Sequence, residues 1–383
     1  MSQPRLLIDA SAGFNQGAGI GRYSRSLLRA ALPKLEPEFD VRLWYASDER
    51  RGARFEREAM EVIPGTLRSR VKRSRWSRRR VDQFARMPVD IPTRLIAGAA
   101  DLAYSPDFTL PGQFGGAGMI TVHDVAFELI PEAYPVGLLQ YLRTVVPRNV
   151  RRAQLVAVVS RTTRIDVVER YNVSSDRVVV IPNAADDRFF GAASLGIERR
   201  CELGIPDDFL LTVGTIEPRK NYRTLLAAQR KAFARTGRPL VVVGRSGWGN
   251  REEMRLLTEL AGEGAVVPLL NADDADLPGL YCDARAVVYV PLYEGFGLPV
   301  LEAMAAGAIV ITSDIPSVRE VAAGHATIVP PLDVDLMAEA MMDPEPPSVE
   351  SRETLKLAAR AYSWEASGTI LREALQQLAR RAL

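Results

Sequence analysis

Two glutamates, Glu294 and Glu302, bracket the stretch with the most chemical content, Tyr293-Glu294-Gly295-Phe296-Gly297-Leu298-Pro299-Val300-Leu301-Glu302. Paired carboxylates can act as acid and nucleophile on a glycosidic bond, or accept hydrogen bonds from the hydroxyls of a bound sugar. The glycines bring bare backbone amides close to whatever lies ahead of the following helix, so Gly295, Phe296, Gly297 and Leu298 suit an anionic, polyhydroxylated ligand. Pro299 fits the first helical turn, where its missing N–H costs nothing. Glu302 is expected in that same turn, complementing the macrodipole. A buried strand-to-helix turn with an ordinary N-terminal carboxylate would use the same residues. The sequence does not fix the separation of the carboxylates, but a loop-to-helix placement favours binding over hydrolysis.

Other groups could join this site. Gly13-Phe14-Asn15-Gln16-Gly17-Ala18-Gly19-Ile20-Gly21-Arg22-Tyr23 follows an apolar run and precedes a helical pattern. That resembles a dinucleotide loop, but the spacing is Gly-x-Gly-x-Gly and no acidic residue closes the next strand, Val41 to Tyr45. Gly19 and Gly21 therefore point to another phosphate or a sugar. His123 stands just past the strand Gly118 to Val122, on the edge where α/β proteins bind ligands, though a lone histidine can equally be structural. Asp273-Asp274-Ala275-Asp276 contains Asp-x-Asp, a metal motif elsewhere, but it directly precedes a helix and reads as an acidic start signal. His123 and His325 have no zinc-spaced partners, so no bound metal is expected.

The elements that must position these groups recur as apolar runs at strand–helix spacing. In the first half they are Leu6–Ala10, Val41–Tyr45, Ala100–Pro106, Gly118–Val122, Leu155–Ser160 and Val178–Asn183. The second half repeats the pattern at Phe209–Gly214, Leu240–Gly244, Ala265–Leu270, Ala286–Val290 and Ile309–Thr312. Two such series predict an α/β protein of two doubly wound domains facing a cleft. The expected limits are 1–184 for the first domain, 185–204 for a linker and 205–362 for the second. A helix is predicted from Ser363 onward, capped by Ser363, with Ile370, Leu371, Ala374, Leu375 and Leu378 as its apolar stripe.

Bulk composition agrees: 383 residues, 47% hydrophobic and 25% charged, exceed what one core usually serves. No apolar run long enough to span a membrane and no signal-peptide pattern occur, so a cytoplasmic location is expected. The two cysteines, Cys201 and Cys282, fit a reducing compartment. Net charge is only +2, yet nine basic residues crowd 66–86: Arg68, Arg70, Lys72, Arg73, Arg75, Arg78, Arg79, Arg80 and Arg86, with Trp76 among them. A solvated face is one reading. Peripheral contact with an anionic membrane is another, at about 1 kcal/mol per basic residue near the surface. Nucleic acid is not expected, because no recognition motif accompanies the charge.

The glutamate loop, Gly214 to Asn221, and Asn183 after Val-Ile-Pro together resemble the retaining GT-B glycosyltransferases of family 4, over nearly the whole chain. Gly19-Ile20-Gly21-Arg22-Tyr23, Val122-His123-Asp124 and Ser363-Trp364 resemble the branch containing bacterial polysaccharide mannosyltransferases. The resemblance implies two Rossmann-like domains, a nucleotide-sugar held mainly by the second, and a C-terminal helix (363–383) crossing back to the first. It implies that Glu302 binds the ribose hydroxyls, Glu294 the hydroxyls of the donor sugar, and Lys220 the diphosphate. Thr215 stands where the family often has a second base, so Arg219 either supplies that charge or points outward.

A metal-independent hexosyl transfer follows, with mannose from GDP-mannose as the expected donor and a saccharide, lipid-linked or free, as acceptor. Breaking a glycosyl phosphate bond builds charge on the departing diphosphate, which a fixed ammonium and an amide-rich helix start would stabilise. Glu294, His123 and the glycine loop would position the sugar and exclude water. Neither glutamate need exchange a proton. A sugar-nucleotide epimerase on the same architecture is the alternative.

Overall fold

The computed structural model describes residues 3–17, 19–47, 52–85, 98–110, 116–270, 272–345 and 348–382. Seven strands form the first sheet: β1 (Arg5–Asp9), β2 (Asp40–Tyr45), β3 (Val71–Arg73), β4 (Leu102–Ser105), β5 (Ala117–Val122), β6 (Leu155–Val158) and β7 (Val178–Val180). Their order is β3-β2-β1-β4-β5-β6-β7, and every pairing is parallel. The second sheet contains β8 (Leu210–Val213), β9 (Leu240–Val243), β10 (Val266–Leu269), β11 (Ala286–Tyr289), β12 (Val310–Ser313) and β13 (Thr327–Val329). It too is parallel throughout, in the order β10-β9-β8-β11-β12-β13. Central strands such as β5 and β11 are buried along their whole length, as their unbroken apolar runs require.

Two strands escape the sequence pattern because they are short edges. β13 is partly exposed, and β3 lies inside the basic segment with Lys72 and Arg73 exposed. Charged side chains on an edge strand discourage pairing with another chain, which gives part of the basic segment a structural purpose. That segment is therefore a 3-10 turn (Gly65–Arg70), a strand and a helix (Arg78–Ala85) rather than one charged face.

The chain divides into two compact units. One comprises 1–125, 137–183 and 363–383; the other comprises 126–136 and 184–362. Residues 126–136 join the second unit because Trp248 Nε1 donates to the Ala133 carbonyl (2.8 Å) and its ring lies against Tyr134. The span expected as a linker, 185–204, holds two helices, Asp187–Phe190 and Ile197–Leu203. Phe189 is fully buried, edge-on to Tyr281, and Arg188 and Arg199 bind Asp274 and Asp276. The acidic run is thus taken up by arginines at the start of the helix Leu277–Asp283, where Asp276 is the cap residue without a side-chain cap bond. Among the described residues, no group of three or more His, Cys, Asp or Glu is arranged to hold a metal ion. No described helix is long and apolar enough to cross a membrane.

The C-terminal helix (Trp364–Ala382) packs on the helix Ile20–Leu35 of the first unit. Ser363 Oγ accepts from Ala366 N (3.1 Å), and Leu371, Ala374, Leu375 and Leu378 are buried, while Ile370 is half-buried. Ser367 anchors the helix by donating to the Pro182 carbonyl (2.8 Å).

Candidate active site

In an open parallel sheet, ligands bind beyond the carboxyl ends of the strands where the winding direction reverses. In the second unit that reversal falls between β8 and β11, which are paired neighbours. The loop after β8 carries Glu217, Arg219 and Lys220, and the loop after β11 carries Glu294. Leu292 N donates to the Arg219 carbonyl (2.9 Å), so the two loops are tied together. Asn221, in the left-handed conformation that asparagine tolerates, staples them further by donating to the carbonyls of Val290 (3.0 Å) and Pro331 (2.6 Å).

Three donors converge on one oxygen of Glu294. Arg219 Nη1 (2.7 Å), the Tyr289 hydroxyl (2.8 Å) and Lys220 Nζ all donate to Oε2. Lys220 also donates to the Tyr289 hydroxyl (2.6 Å), and Arg219 Nη2 to Glu217 Oε1 (2.9 Å). Arg219 therefore turns inward and supplies a second cation beside Lys220. No hydrogen bond from the described residues reaches Glu294 Oε1, and the third N–H of Lys220 is likewise unengaged by them. Burial would raise the Glu294 carboxyl, but the charges of Arg219 and Lys220, with the hydrogen bonds of Lys220 and Tyr289, outweigh it and bring it to about 2. Burial and the Arg219 charge push the Lys220 ammonium below the usual lysine range, against the pull of Glu294 and Glu217. A locked carboxylate of this kind accepts hydrogen bonds and does not shuttle protons.

The helix after the loop runs from Leu298 to Ala305, with Gly297 as its cap and Pro299 in the first turn. Gly297 has φ +103°, and a Cβ there would stand 2.9 Å from Val318 Cγ1, so the turn requires glycine. Because the helix begins only at Leu298, Glu302 lies beyond the first turn, which corrects the expectation that it complements the macrodipole there. Glu302 is 3% exposed and accepts from the Tyr281 hydroxyl (3.1 Å). Phe296 is buried edge-on to Tyr362, so its side chain is taken up in packing. Gly295 is buried and Leu298 half-buried.

In the first unit, the reversal falls between β1 and β4, and His123 follows β5. Its Nε2 lies 2.9 Å from the Pro106 carbonyl. A carbonyl only accepts, so Nε2 carries the proton and Nδ1 is left as an acceptor. Burial lowers the His123 pKa, against the charges of Asp107 and Asp124, and the ring is neutral near pH 7. Three separated motif pieces meet here: Tyr23 lies edge-on to both His123 (4.7 Å) and Trp364 (5.8 Å). Gly19 caps the helix Ile20–Leu35 at φ +56° and a Cβ there would meet nothing. Gly21 differs: a Cβ would fall 2.0 Å from the Gln16 carbonyl oxygen, so packing explains this glycine without a ligand. Arg25 gathers the loop by donating to the carbonyls of Gly13 (2.7 Å), Gln16 (2.7 Å) and Gly17 (3.1 Å).

Sequence reasoning passed over Glu217, Tyr289 and Arg25. Tyr289 carried a usable signal, a lone hydroxyl in the otherwise aliphatic run Ala286 to Val290. Of the basic segment, Arg68, Arg70, Lys72, Arg73, Arg75 and Arg80 are exposed, with Arg70 paired to Asp40 (2.9 Å), and Trp76 is half-buried. Arg78 does not belong with the surface charges: its side chain is 17% exposed and turns toward buried Asp107 (4.0 Å). Arg86 and the side chain of Arg79 lie outside the described residues.

Comparison with known proteins gives this geometry its context. Residues 199–361 match the family model of glycosyl transferases group 1, and residues 18–189 that of glycosyltransferase family 4. The O-antigen chain mannosyltransferase B of Escherichia coli is 32% identical over 270 residues, covering 68% of this chain and 70% of that protein. The O-antigen chain mannosyltransferase RfbU of Salmonella typhimurium is 31% identical over 56% of this chain and 57% of its own length. Among solved structures, Anabaena HepE in complex with UDP and glucose superposes with a TM-score of 0.71 at 17% identity, covering 98% of this chain and 100% of that one. Sucrose-phosphate synthase from Thermosynechococcus elongatus gives a TM-score of 0.71 at 19% identity, over 98% and 99%. These likenesses establish the GT-B fold, and nothing among them supports the epimerase reading. The chain belongs to the group 1 glycosyltransferases of family 4 and is a glycosyltransferase.

Proposed function

We propose that this enzyme moves a hexose, mannose from GDP-mannose, to a saccharide acceptor of polysaccharide or glycolipid synthesis, with retention and without a metal. The observation that carries the reading is the cluster of Lys220, Arg219, Tyr289 and Glu294 at the β8/β11 reversal. Its two cations can meet the charge that develops on a departing diphosphate, in a site where burial strengthens them. Glu294 Oε1 would accept from a sugar hydroxyl, and Glu302 from the ribose. Within the first unit, His123 Nδ1 and the Gly19 loop would offer groups to a saccharide hydroxyl. The choice of mannose rests on the names of the two O-antigen relatives.

A thermal-shift screen with GDP, UDP, ADP and dTDP tests the donor. GDP at a hundred times its Kd should add about 2.7 kcal/mol of stability and raise the melting point. A shift by UDP alone would move the assignment to another donor. Transfer from GDP-mannose should persist in excess EDTA, and complete loss would end the metal-free claim. We also propose that Lys72, Arg73, Arg75 and Arg80 bring the enzyme to an anionic membrane carrying a lipid-linked acceptor. The protein should then sediment with phosphatidylserine vesicles at low salt and be released at high salt, since exposed charges are screened. Equal sedimentation with neutral vesicles would refute that contact.

A further inference from the structure

Tyr289 closes β11 and is 3% exposed, with its hydroxyl inside the charged cluster. That hydroxyl accepts from Lys220 Nζ (2.6 Å) and donates to Glu294 Oε2 (2.8 Å). Nζ stands 5.1 Å from the ring centroid, out beyond the hydroxyl. Thr312 Oγ1 donates to the Tyr289 carbonyl (2.6 Å), fixing the strand end from β12. One phenol therefore touches both Lys220 and Glu294 and is held by the sheet rather than by a loop.

On the donor-site reading, Lys220 and Glu294 have opposite tasks. Lys220 must offer N–H to a diphosphate while sitting against a carboxylate that competes for it. Glu294 must offer an oxygen to a sugar hydroxyl while sitting against cations. Directing every internal bond to Oε2, and one N–H of Lys220 to the phenol, resolves the conflict. It leaves Oε1 and the third N–H of Lys220 without partners among the described residues.

We propose that Tyr289 is a positioning residue for glycosyl transfer: its hydroxyl bridges Lys220 and Glu294 so that the third ammonium N–H meets the diphosphate and Oε1 meets the sugar. The assignment rests on the donor-site reading given above. It involves no proton transfer, so Tyr289 stays a phenol throughout. Burial, followed by the Glu294 charge, raises Tyr289 well above its ordinary value, in keeping with that state.

Tyr289→Phe isolates the hydroxyl, because the buried ring and the packing of β11 are kept. The groups facing Lys220 are Arg219 and Glu217 from its own loop and Tyr289 and Glu294 from β11 and its loop. Tyr222, which bonds the Gly214 carbonyl (2.8 Å), faces Glu217. With the phenol gone, the ammonium loses an acceptor and deprotonates more readily. The alkaline limb of kcat/KM should move down by about one pH unit. The value of kcat/KM itself should drop about tenfold, the worth of one hydrogen bond to a charged group, mostly in kcat. Tyr289→Leu, which removes ring and hydroxyl together, should lower the melting point further without moving the limb further.

A Phe variant whose pH profile superimposes on the parent overturns the proposal. So does a fall in rate with no shift of the limb, or a limb shift seen with Leu and not with Phe, which would assign the effect to packing. The donor-site reading fails by a different result, full transfer in both Lys220→Met and Glu294→Gln.

Discussion

Lys220→Met should lower kcat/KM for the nucleotide-sugar by about a thousandfold, the cost of removing one preorganised group aimed at developing charge. Methionine keeps the length of the stem and loses only the ammonium. The loss should fall mainly on kcat, because the diphosphate gains charge as the glycosyl bond breaks. Steady-state kinetics at saturating acceptor would read this split. The pH dependence follows from the same residue. Burial and Arg219 depress Lys220, so the wild-type rate should decline on the alkaline side at a pH below the usual lysine range. Lys220→Arg should carry that limb upward and out of the accessible range, since a guanidinium does not deprotonate there. An unchanged alkaline limb in Lys220→Arg would assign it to another group.

Glu294→Gln should cost at least about a hundredfold in transfer, because the amide cannot balance two cations and still present an acceptor to the sugar. It should also destabilise the protein by about 3 kcal/mol, the penalty for leaving buried cations without their counter-ion. Glu217 would still pair with Arg219. The wild-type carboxylate, held at about 2, stays ionised across the working range, so no acidic limb should arise from it. The sign for stability is equally definite. A carboxylate depressed below its ordinary value stabilises the fold above about pH 4.5, and that contribution is lost as pH falls toward about 2. Melting temperatures of parent and Gln variant should therefore converge between pH 4.5 and 2, and a constant gap would refute the linkage.

Much of the site was legible because its residues are local in sequence. Glu294, Gly297 and Pro299 share one strand-to-helix turn, where spacing alone predicts a cap, a helix start and amides facing forward. The central strands were equally legible, since burial on both faces leaves an unbroken apolar run. Edge strands β3 and β13 were not, because an edge needs little apolar surface and β3 is basic. Spacing also misjudged Glu302, since one glycine at φ +103° delays the helix and carries that residue past the first turn. For Gly21 the sequence suggested ligand approach where the structure shows a close backbone contact with Gln16.

By itself, the sequence determined that this chain makes two doubly wound units and that a glycine turn between two glutamates leads from a strand into a helix. Both follow from periodicity and turn chemistry, which act over a few residues. The tertiary structure alone decided which charges meet. Glu294 and Lys220 are far apart along the chain, and only the pairing of β8 with β11 brings their loops together. The same pairing places Tyr289 between them, turns Arg219 inward, and directs three donors to one carboxylate oxygen. Strand order in a parallel sheet is set by long-range packing, and no local pattern records it.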